Sequence, residues 1–362
     1  MSRKNTAVER VSEGADRLGR HPVGCPKCKR AFLVPQGAVG KPCPICAEAA
    51  LSPQNVVMRD AEPEQVVPFG ASRQDLKPKL AEFASVRFVT GDLTADNLVE
   101  RAVPVWWPVW LVDATCEGSF KAEVGFDYEV KSTEEVLDGG TWRSREVMRD
   151  KIRWEPRQGA VSRRYDNVPA EALTEHDARK KAIGGYDYRK AVDYTQDKLA
   201  DAWVQLPDVP PDEAWPDAEA GIAKKVGQDV RQAIDVRHVR GVTVSADYPD
   251  VNYTWMLLPM YASWYVDSGG VRRPVLFHGE TGQVYGKRMA SVTKGLVWGA
   301  VIGTFATGLL LLAGFVGLVG IVLLPLLAVA AVLGALSLPF FALALWPPLS
   351  AWSHNRRETA SP

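Results

Sequence analysis

The feature that most constrains this chain is a long apolar stretch near its C-terminus. From Gly295 to Ser353 there are 59 residues without Asp, Glu, Lys, Arg or His. An α-helix rises about 1.5 Å per residue and a bilayer core is about 30 Å thick, so one span takes about 20 residues. The stretch therefore predicts a transmembrane hairpin over 295–353, with spans at about 297–318 and 324–346. A buried hairpin in a soluble core is disfavoured, because neither helix would offer water a polar face.

The flanks of the hairpin predict its orientation. Trp298 and Trp346 stand near its ends, as interfacial aromatics do, and Gly320 with Pro325 favours a tight turn between the spans. The turn carries no charge, whereas cations lie on both outer flanks: Lys287, Arg288, Lys294, Arg356 and Arg357. We therefore expect a two-span cell-membrane protein in contact with lipid, with both termini and the soluble parts in the cytoplasm and 354–362 as a cytoplasmic tail. Gly299 and Gly303 form a small-xxx-small pair, which hints at an oligomer.

Composition limits what the rest of the chain does. The 362 residues include 43 basic and 43 acidic side chains, so the formal net charge is zero. A dedicated nucleic-acid binder draws its affinity from a surplus of Lys and Arg, which is absent here. Hydrophobic residues make up 46% and charged residues 24% of the chain, the balance of an ordinary globular protein of two or three folded units.

Two Cys-x-x-Cys pairs near the N-terminus predict a metal site. Cys25 and Cys28 are separated from Cys43 and Cys46 by 14 residues, in which 31–34 reads as the first strand of a hairpin. Such a hairpin brings four thiolates to about 2.3 Å from one structural zinc ion. Two disulfides or a redox pair are the alternatives, and the cytoplasmic location and the doubled motif disfavour them. His21 is predicted to be exposed rather than a ligand, and the fifth cysteine, Cys116, to be a small core residue.

The remaining segments give a multidomain α+β membrane protein. We predict a disordered tail at 1–20, a zinc ribbon at 21–47 and a Pro-, Gln- and Glu-rich linker at 48–72. A β-rich domain follows at 73–290, with a helical insertion at about 169–236. Within the insertion, 171–203 and 217–236 are helical in composition.

Two strands of the β domain carry charges on alternate positions. Residues 120–130 and 142–154 both alternate, and Asp138-Gly139-Gly140 predicts a turn between them. Five cations share one face of the second strand and suit an anionic ligand, phospholipid headgroups or nucleic acid: Arg143, Arg145, Arg149, Lys151 and Arg153. Alternatively, acids on the neighbouring strand neutralise them across the ladder, which we favour: Glu123, Asp127 and Glu129.

Three features together resemble a known group. They are the N-terminal ribbon, the Pro104–Ala114 stretch (Pro-Val-Trp-Trp-Pro-Val-Trp-Leu-Val-Asp-Ala), and 277–286 (Phe-His-Gly-Glu-Thr-Gly-Gln-Val-Tyr-Gly) ahead of the hairpin. The chain resembles the bacterial zinc-ribbon membrane proteins of the YdjG type, which are often mislabelled as primosomal helicase or TFIIB-like proteins. That family usually reads Asn-Gly-Gln-Thr-Gly-Lys-Val where this chain has 278–284. The resemblance implies a membrane platform in envelope stress that acts with SPFH or phage-shock-type proteins.

Catalytic motifs are not evident, so we expect a protein that is not an enzyme. Neither Gly40-Lys41 nor Gly286-Lys287 has the glycine before it or the hydroxyl after it that a phosphate loop needs. Asp212-Glu213-Ala214-Trp215 lies between prolines and reads as linker rather than as a DEAD-type box. No Gly-x-Ser-x-Gly elbow or His-Glu-x-x-His occurs.

The sequence thus favours a membrane-anchored scaffold or adaptor that recruits protein partners through its zinc ribbon, a docking knob on a long tether. The alternative from another class is a membrane-tethered nucleic-acid-binding regulator that uses the ribbon and the 143–153 cations. A hydrolase whose site assembles only in the folded chain is the third hypothesis.

Overall fold

The computed structural model describes residues 9–12, 20–54, 56–59, 62–85, 88, 90–195, 201–320 and 325–360. The six helices in these ranges are α1 (Lys77–Ala84), α2 (Ala95–Glu100), α3 (His176–Ile183), α4 (Trp215–Ile234), α5 (Val292–Gly320) and α6 (Pro325–Ala360). The short strands before α3 are β1 (Glu9–Ser12), β2 (Arg20–Gly24), β3 (Ala31–Pro35), β4 (Ser52–Pro53), β5 (Val56–Arg59) and β6 (Gln65–Val66). The remaining strands are β7 (Val103–Asp138), β8 (Thr141–Glu171), β9 (Val192–Asp193), β10 (Trp203–Gln205), β11 (His238–Asp247), β12 (Val251–Val266), β13 (Arg272–His278) and β14 (Val284–Gly286).

β7 is the spine of the main sheet. It is 36 residues long, and every long strand of the sheet except β13 pairs with it directly. Along one edge it pairs first with β12 and then with β11, both antiparallel. Along the other edge it pairs with the parallel strand β10 and then with β8. One strand therefore runs through the whole length of the β structure.

The core lies on both faces of the first part of β7. Its odd-numbered side chains, including Trp107 and Val109, pack with α3 and with the cysteine-bearing segment. Its even-numbered side chains, including Trp110 and Ala114, pack against α4. A strand covered on both faces reads as a nearly continuous apolar run, and Pro104–Ala114 is such a run.

The helical insertion differs from its prediction. Within 171–195 the one α-helix is α3, eight residues long, because Gly184 with φ +101° and Gly185 end it, and a short 3-10 helix follows at Tyr188–Lys190. Residues 196–200 of the predicted 171–203 helix lie outside the described residues. α4 covers nearly all of the predicted 217–236 helix and begins two residues earlier. Between α3 and α4, β10 returns to the main sheet, so the insertion contributes a strand as well as helices.

The predicted tail and linker also differ from the structure. Within 1–20, residues 9–12 form β1 and pair with β5; of the others in that stretch only Arg20 is described, as the first residue of β2. Within 48–72, β4 pairs with β2 and β6 pairs with β12, while Val66 and Val67 are fully buried. The linker prediction was wrong there, because apolar residues among the Pro, Gln and Glu add strands to the sheet.

α5 and α6 are long and apolar enough to cross a membrane. The turn predicted between them lies at 321–324, outside the described residues. α6 continues through Pro347 and Pro348 to Ala360, so most of the predicted tail at 354–362 is helix. At Gly299 an added Cβ would lie 2.5 Å from the Ala344 carbonyl oxygen, so this glycine lets α5 approach α6 closely. Gly299 of the small-residue pair therefore serves a contact within the chain, and the predicted oligomer stays a prediction.

The two apolar helices are fastened to one end of the sheet. The Asn355 side chain bonds both the amide nitrogen and the carbonyl oxygen of Ala290, at 2.7 and 2.9 Å. The Tyr265 hydroxyl, near the end of β12, donates to the Lys287 carbonyl at 2.7 Å. Because β7 begins beside the end of β12 and runs away from it, the far end of β7 points away from α5 and α6.

Candidate metal centre

Two matching turns bring the four cysteines together. In the first turn the amide of Lys29 donates to the Cys25 carbonyl at 3.0 Å, and in the second the amide of Ala47 donates to the Cys43 carbonyl at 2.9 Å. Lys29 and Ala47 each follow the second cysteine of a pair and have φ values of 61° and 57°. The left-handed residue reverses the chain directly after each Cys-x-x-Cys pair, which leaves both sulfurs of the pair on the same side.

The sulfur positions suit a tetrahedral metal. The four Sγ atoms all lie within 4.8 Å of one another. The Cys25–Cys46 and Cys28–Cys43 sulfur pairs are each 3.6 Å apart. Four sulfurs at about 2.3 Å from a central zinc ion would be about 3.8 Å apart, so the spacing fits a metal and is far too long for a disulfide.

The thiols already influence one another's ionisation. A hydrogen bond from the Cys43 thiol lowers the pKa of Cys28 to about 4, and the same bond and burial raise the pKa of Cys43. Burial is also the main cause of the raised pKa of Cys25. A metal that binds all four sulfurs must displace the remaining thiol protons, so its affinity rises with pH.

The cysteine-bearing segment is built into the main sheet. β2 pairs with β3, β3 pairs with β10, and β10 pairs with β7. Cys25 and Cys43 belong to the same buried cluster as Trp107 of the spine strand. The expected docking knob on a tether is thus not what the chain forms, because its sheet and core are continuous with the body.

A buried polar cluster joins this segment to α3. Glu175 bonds Arg30, which follows the first cysteine pair, and also bonds Arg179. Arg179 is only 4% exposed; its guanidinium donates to the Gln205 side-chain oxygen at 3.0 Å and lies 4.9 Å from the Trp107 ring centre. No local sequence pattern indicates this cluster, because Arg30 and Gln205 are distant along the chain from Glu175 and Arg179.

His21 and Cys116 are not part of the four-cysteine group. His21 is half-buried in β2. Cys116 is fully buried beneath α4, and burial raises its pKa. It is the small core residue that the sequence predicted.

The predicted cation face is present, but its partners differ. β8 pairs antiparallel with β7 as expected, yet Arg153 lies opposite Phe126, Lys151 opposite Tyr128 and Arg149 opposite Val130. Directly opposed residues share a face, so the cations face an apolar row rather than the predicted acids. The acids instead meet β11: Arg240 pairs with Glu123 at 2.7 Å and His238 with Asp127 at 3.0 Å.

His278 has a structural contact that the sequence did not indicate. Its Nδ1 accepts the backbone amides of Glu280 and Thr281 at 3.1 Å each, and its Nε2 lies 3.1 Å from the Gly185 carbonyl oxygen. The ring is fully buried and stacks on Tyr186 with ring centres 3.8 Å apart. His278 therefore caps the 278–282 turn, a task that an asparagine side chain also performs.

The chain matches no protein-family model, no curated protein and no solved structure.

Proposed function

We propose that this protein is a membrane-anchored, zinc-stabilised platform that presents a β body to protein partners and has no catalytic role. One observation carries the proposal. A four-sulfur site lies in the same continuous sheet whose end is fastened to two long apolar helices. The arrangement joins a rigid body to an anchor.

Zinc is the metal that best suits the site. Four sulfur ligands in a tetrahedral arrangement favour zinc or iron–sulfur chemistry, and the close spacing of single sulfurs around one point favours one zinc ion. Four protein ligands leave no position for water or substrate, so the ion is structural. Cys25, Cys28, Cys43 and Cys46 would hold it.

The exposed surface of α5 and α6 supports a membrane anchor. Leu311 and Leu318 of α5 are 70% and 69% exposed, and Leu338 of α6 is 67% exposed. Apolar side chains at this density on a long helix require a lipid environment or another apolar surface. The cations on both outer flanks favour cytoplasmic termini and a cytoplasmic β body.

Side-chain contacts support a role without catalysis. The His278 ring accepts hydrogen bonds from backbone amides of its own turn. His354 bonds the Arg288 carbonyl oxygen at 2.7 Å, and His238 pairs with Asp127. These histidines hold structural positions instead of converging on one cleft. The proposed partners are proteins of the SPFH or phage-shock type, and this part of the proposal rests on the family resemblance alone.

Three measurements on the full chain with a tag after Pro362 test the proposal. We expect about one zinc per chain by elemental analysis, retention in membranes after carbonate extraction, and tag labelling only after the cells are opened. Metal-free, oxidised cysteines would contradict the zinc site. A tag labelled from outside intact cells would contradict the inward-facing platform.

Recruitment is tested by capture from detergent-solubilised membranes followed by mass spectrometry. The body needs its metal, so a cysteine variant would confuse unfolding with lost docking. A better comparison uses a chain with α5 and α6 intact and with residues 126–153 removed. Proteins captured by both chains bind outside residues 126–153, and those that an unrelated two-span membrane protein does not capture are candidates for docking on the body. A full chain that captures no protein beyond that control would overturn the platform role.

A further inference from the structure

The outer part of β7 and β8 forms a bare two-stranded ribbon. We call residues 126–137 and 142–153 the ribbon arm; neither β11 nor β12 extends along it. No described side chain in the arm is buried, and Trp142 and Met148 are 67% and 55% exposed. A lone two-stranded hairpin with exposed aromatic residues is marginal in water, so a contacting surface would stabilise it.

The two faces of the ribbon arm carry opposite charge. One face, which we call the basic face, has five cations and one acid, a net charge of +4: Arg143, Arg145, Arg149, Lys151, Arg153 and Glu134. The other face, the acidic face, has five acids and one cation, a net charge of −4: Asp127, Glu129, Glu135, Glu146, Asp150 and Lys131. The charges balance across the ribbon while each face keeps a strong sign.

Pairing within the arm leaves part of each face unneutralised. Arg149 lies 3.6 Å from Glu134, and Lys131 lies 4.0 Å from Glu146, both exposed and weak. At the base of the arm Arg153 lies 3.1 Å from Glu155, and Asp127 pairs with His238 at 3.0 Å. Among the described residues, Arg145 and Lys151 of the basic face have no partner. The same holds for Glu129, Glu135 and Asp150 of the acidic face.

On each face one strand supplies most of the charge of that face and the other strand supplies most of its apolar side chains, although Glu134 of β7 and Glu146 and Asp150 of β8 stand among the apolar ones. On the basic face the cations follow β8, and Phe126, Tyr128 and Val130 follow β7. On the acidic face most acids follow β7, and Trp142, Met148 and Ile152 follow β8. When one ribbon is laid antiparallel on another, the cation row covers the acid row and the two apolar rows meet.

We propose that the ribbon arm is a self-association element, in which the basic face of one copy packs on the acidic face of a second copy. Contact between two identical faces would place like charges of four units against each other, so the interface joins unlike faces. Each copy then keeps one free face of either sign, and the contact can repeat.

Two other occupants fit the observations less well. Lipid of the anchoring membrane is remote, because about 20 residues of β7, roughly 70 Å of strand, separate the start of β7 beside α5 and α6 from the nearest part of the arm. Nucleic acid suits the basic face alone and would not explain an equally strong acidic face. Both appear below as outcomes of the test.

The size of the contact predicts its strength. Twelve residues at about 3.3 Å give a face about 40 Å long and about 10 Å wide, so one contact buries about 800 Å² in total. That area lies below the standard size of a stable interface, so a single contact is weak in solution. Because each contact leaves one face of either sign free, further copies can add in turn, and assembly should grow with protein concentration.

Charge reversal in the full-length protein tests the proposal. The basic-face variant is R145E with K151E, and the acidic-face variant is E129K with E135K. The control K181E with K224E makes the same charge change as the basic-face variant, at exposed positions outside the arm. Sedimentation in detergent at rising protein concentration and low salt reports the assembly state.

We expect the wild type and the control to form species larger than one chain, and each reversed variant to lose them. An equimolar mixture of the two variants should regain assembly, because the basic-face variant keeps an intact acidic face and the acidic-face variant keeps an intact basic face. Salt at about 0.5 M, where screening acts over roughly 4 Å, should weaken assembly of the wild type.

Assembly that is unchanged in both variants, or a wild type that stays single at all concentrations, would overturn the proposal. Loss in the basic-face variant alone, together with DNA or anionic-vesicle binding by the wild type, would assign the face to nucleic acid or lipid instead. The zinc and membrane tests of the proposed function do not depend on any of these results.

Discussion

The cysteine-bearing segment and the ribbon arm are both antiparallel hairpins of one sheet, yet they are stabilised in opposite ways. The cysteine-bearing segment is short, and its Val23, Phe32 and Cys43 are fully buried against the body. The ribbon arm is longer and buries none of its described side chains. Its stability comes from cross-strand pairs and from its continuity with the packed part of β7.

The comparison indicates that the two hairpins of one sheet serve different purposes: the cysteine-bearing segment stabilises the body, and the ribbon arm offers a surface for interaction. Where a hairpin packs into the core, as the cysteine-bearing segment does, a substitution in it changes the stability of the whole body. Where a hairpin is held only by pairing between its two strands, as in the ribbon arm, its side chains can change and can bind other molecules without a large loss of stability. Four predictions test this difference, in order of decreasing effect on the free energy of unfolding.

Replacement of a cysteine ligand should have the largest effect. In Cys43→Ser we expect loss of bound zinc and loss of at least about 5 kcal/mol, because structural zinc contributes about 10–16 kcal/mol in comparable peptides. Elemental analysis and thermal unfolding of the full chain measure both. If the variant does not fold, a chelator added to the wild type should lower its melting temperature. The control Cys116→Ala, at a buried cysteine outside the group, should keep the zinc. An unchanged melting temperature after zinc removal would show that the metal does not stabilise the cysteine-bearing segment.

Removal of the carboxylate that joins the cysteine-bearing segment to α3 should come second. Glu175→Ala leaves Arg179 buried without its acidic partner, which costs about 3 kcal/mol. Chemical denaturation measures the loss. Glu213→Ala removes an exposed acid and should change stability by less than about 0.5 kcal/mol. Equal effects of the two substitutions would show that the buried cluster contributes nothing.

Acid should weaken the body through His176. Burial lowers the pKa of His176 to about 4 from its usual 6.5, so between these values the unfolded chain binds a proton that the folded chain does not. The contribution of His176 to stability is therefore lost as the pH falls through this window, by about 1.4 kcal/mol between pH 7.5 and 5.5, against a smaller opposite contribution from Glu171, whose pKa burial raises to about 6. His176→Phe should flatten the dependence in denaturant titrations at the two pH values. His238→Phe, at a less buried position, should keep it; an identical slope in both variants would exclude His176 as the cause.

Excision of the ribbon arm should have the smallest effect on stability. Residues 126–153 are replaced by Asn-Gly, which joins the opposed pair Gly125 and Trp154 in a two-residue turn. We expect full zinc content and a free energy of unfolding within about 1 kcal/mol of the wild type, because no buried side chain is removed. Assembly should be lost. A large fall in melting temperature would mean that the arm stabilises the body after all.

Local signals in the sequence predicted the elements whose causes are local. The cysteine turns follow from two Cys-x-x-Cys pairs, and the apolar helices follow from an uncharged run of residues. The β7–β8 pairing followed from alternation and from Gly139-Gly140. These features need little knowledge of distant residues.

The register of the ribbon was also present in the sequence, although it was predicted wrongly. A two-residue turn at Gly139-Gly140 pairs Asp138 with Thr141, so odd positions of β8 must lie opposite even positions of β7. The cations at odd positions therefore could not face Glu123, Asp127 and Glu129. Counting outward from the turn finds the apolar row and the two opposite faces.

Other features depend on contacts between distant residues. β10 is only three residues long and pairs with β3 and β7, which lie about 170 and 100 residues earlier in the chain. No local pattern marks Trp203–Gln205 as a strand, and the helical composition around it concealed it. The incorporation of the cysteine-bearing segment into the sheet depends on that strand, so the segment looked like a separate domain.

The continuity of β7 also determines how the molecule bears load. A pull on Gly139 or Gly140 travels along the backbone of β7 to Val103, close to the attachment of α5 and α6. Because β12 runs antiparallel alongside, its hydrogen bonds to β7 are loaded in shear and resist together, instead of opening one after another. Tension at the distal tip would thus be carried to the end of the sheet that holds the two apolar helices.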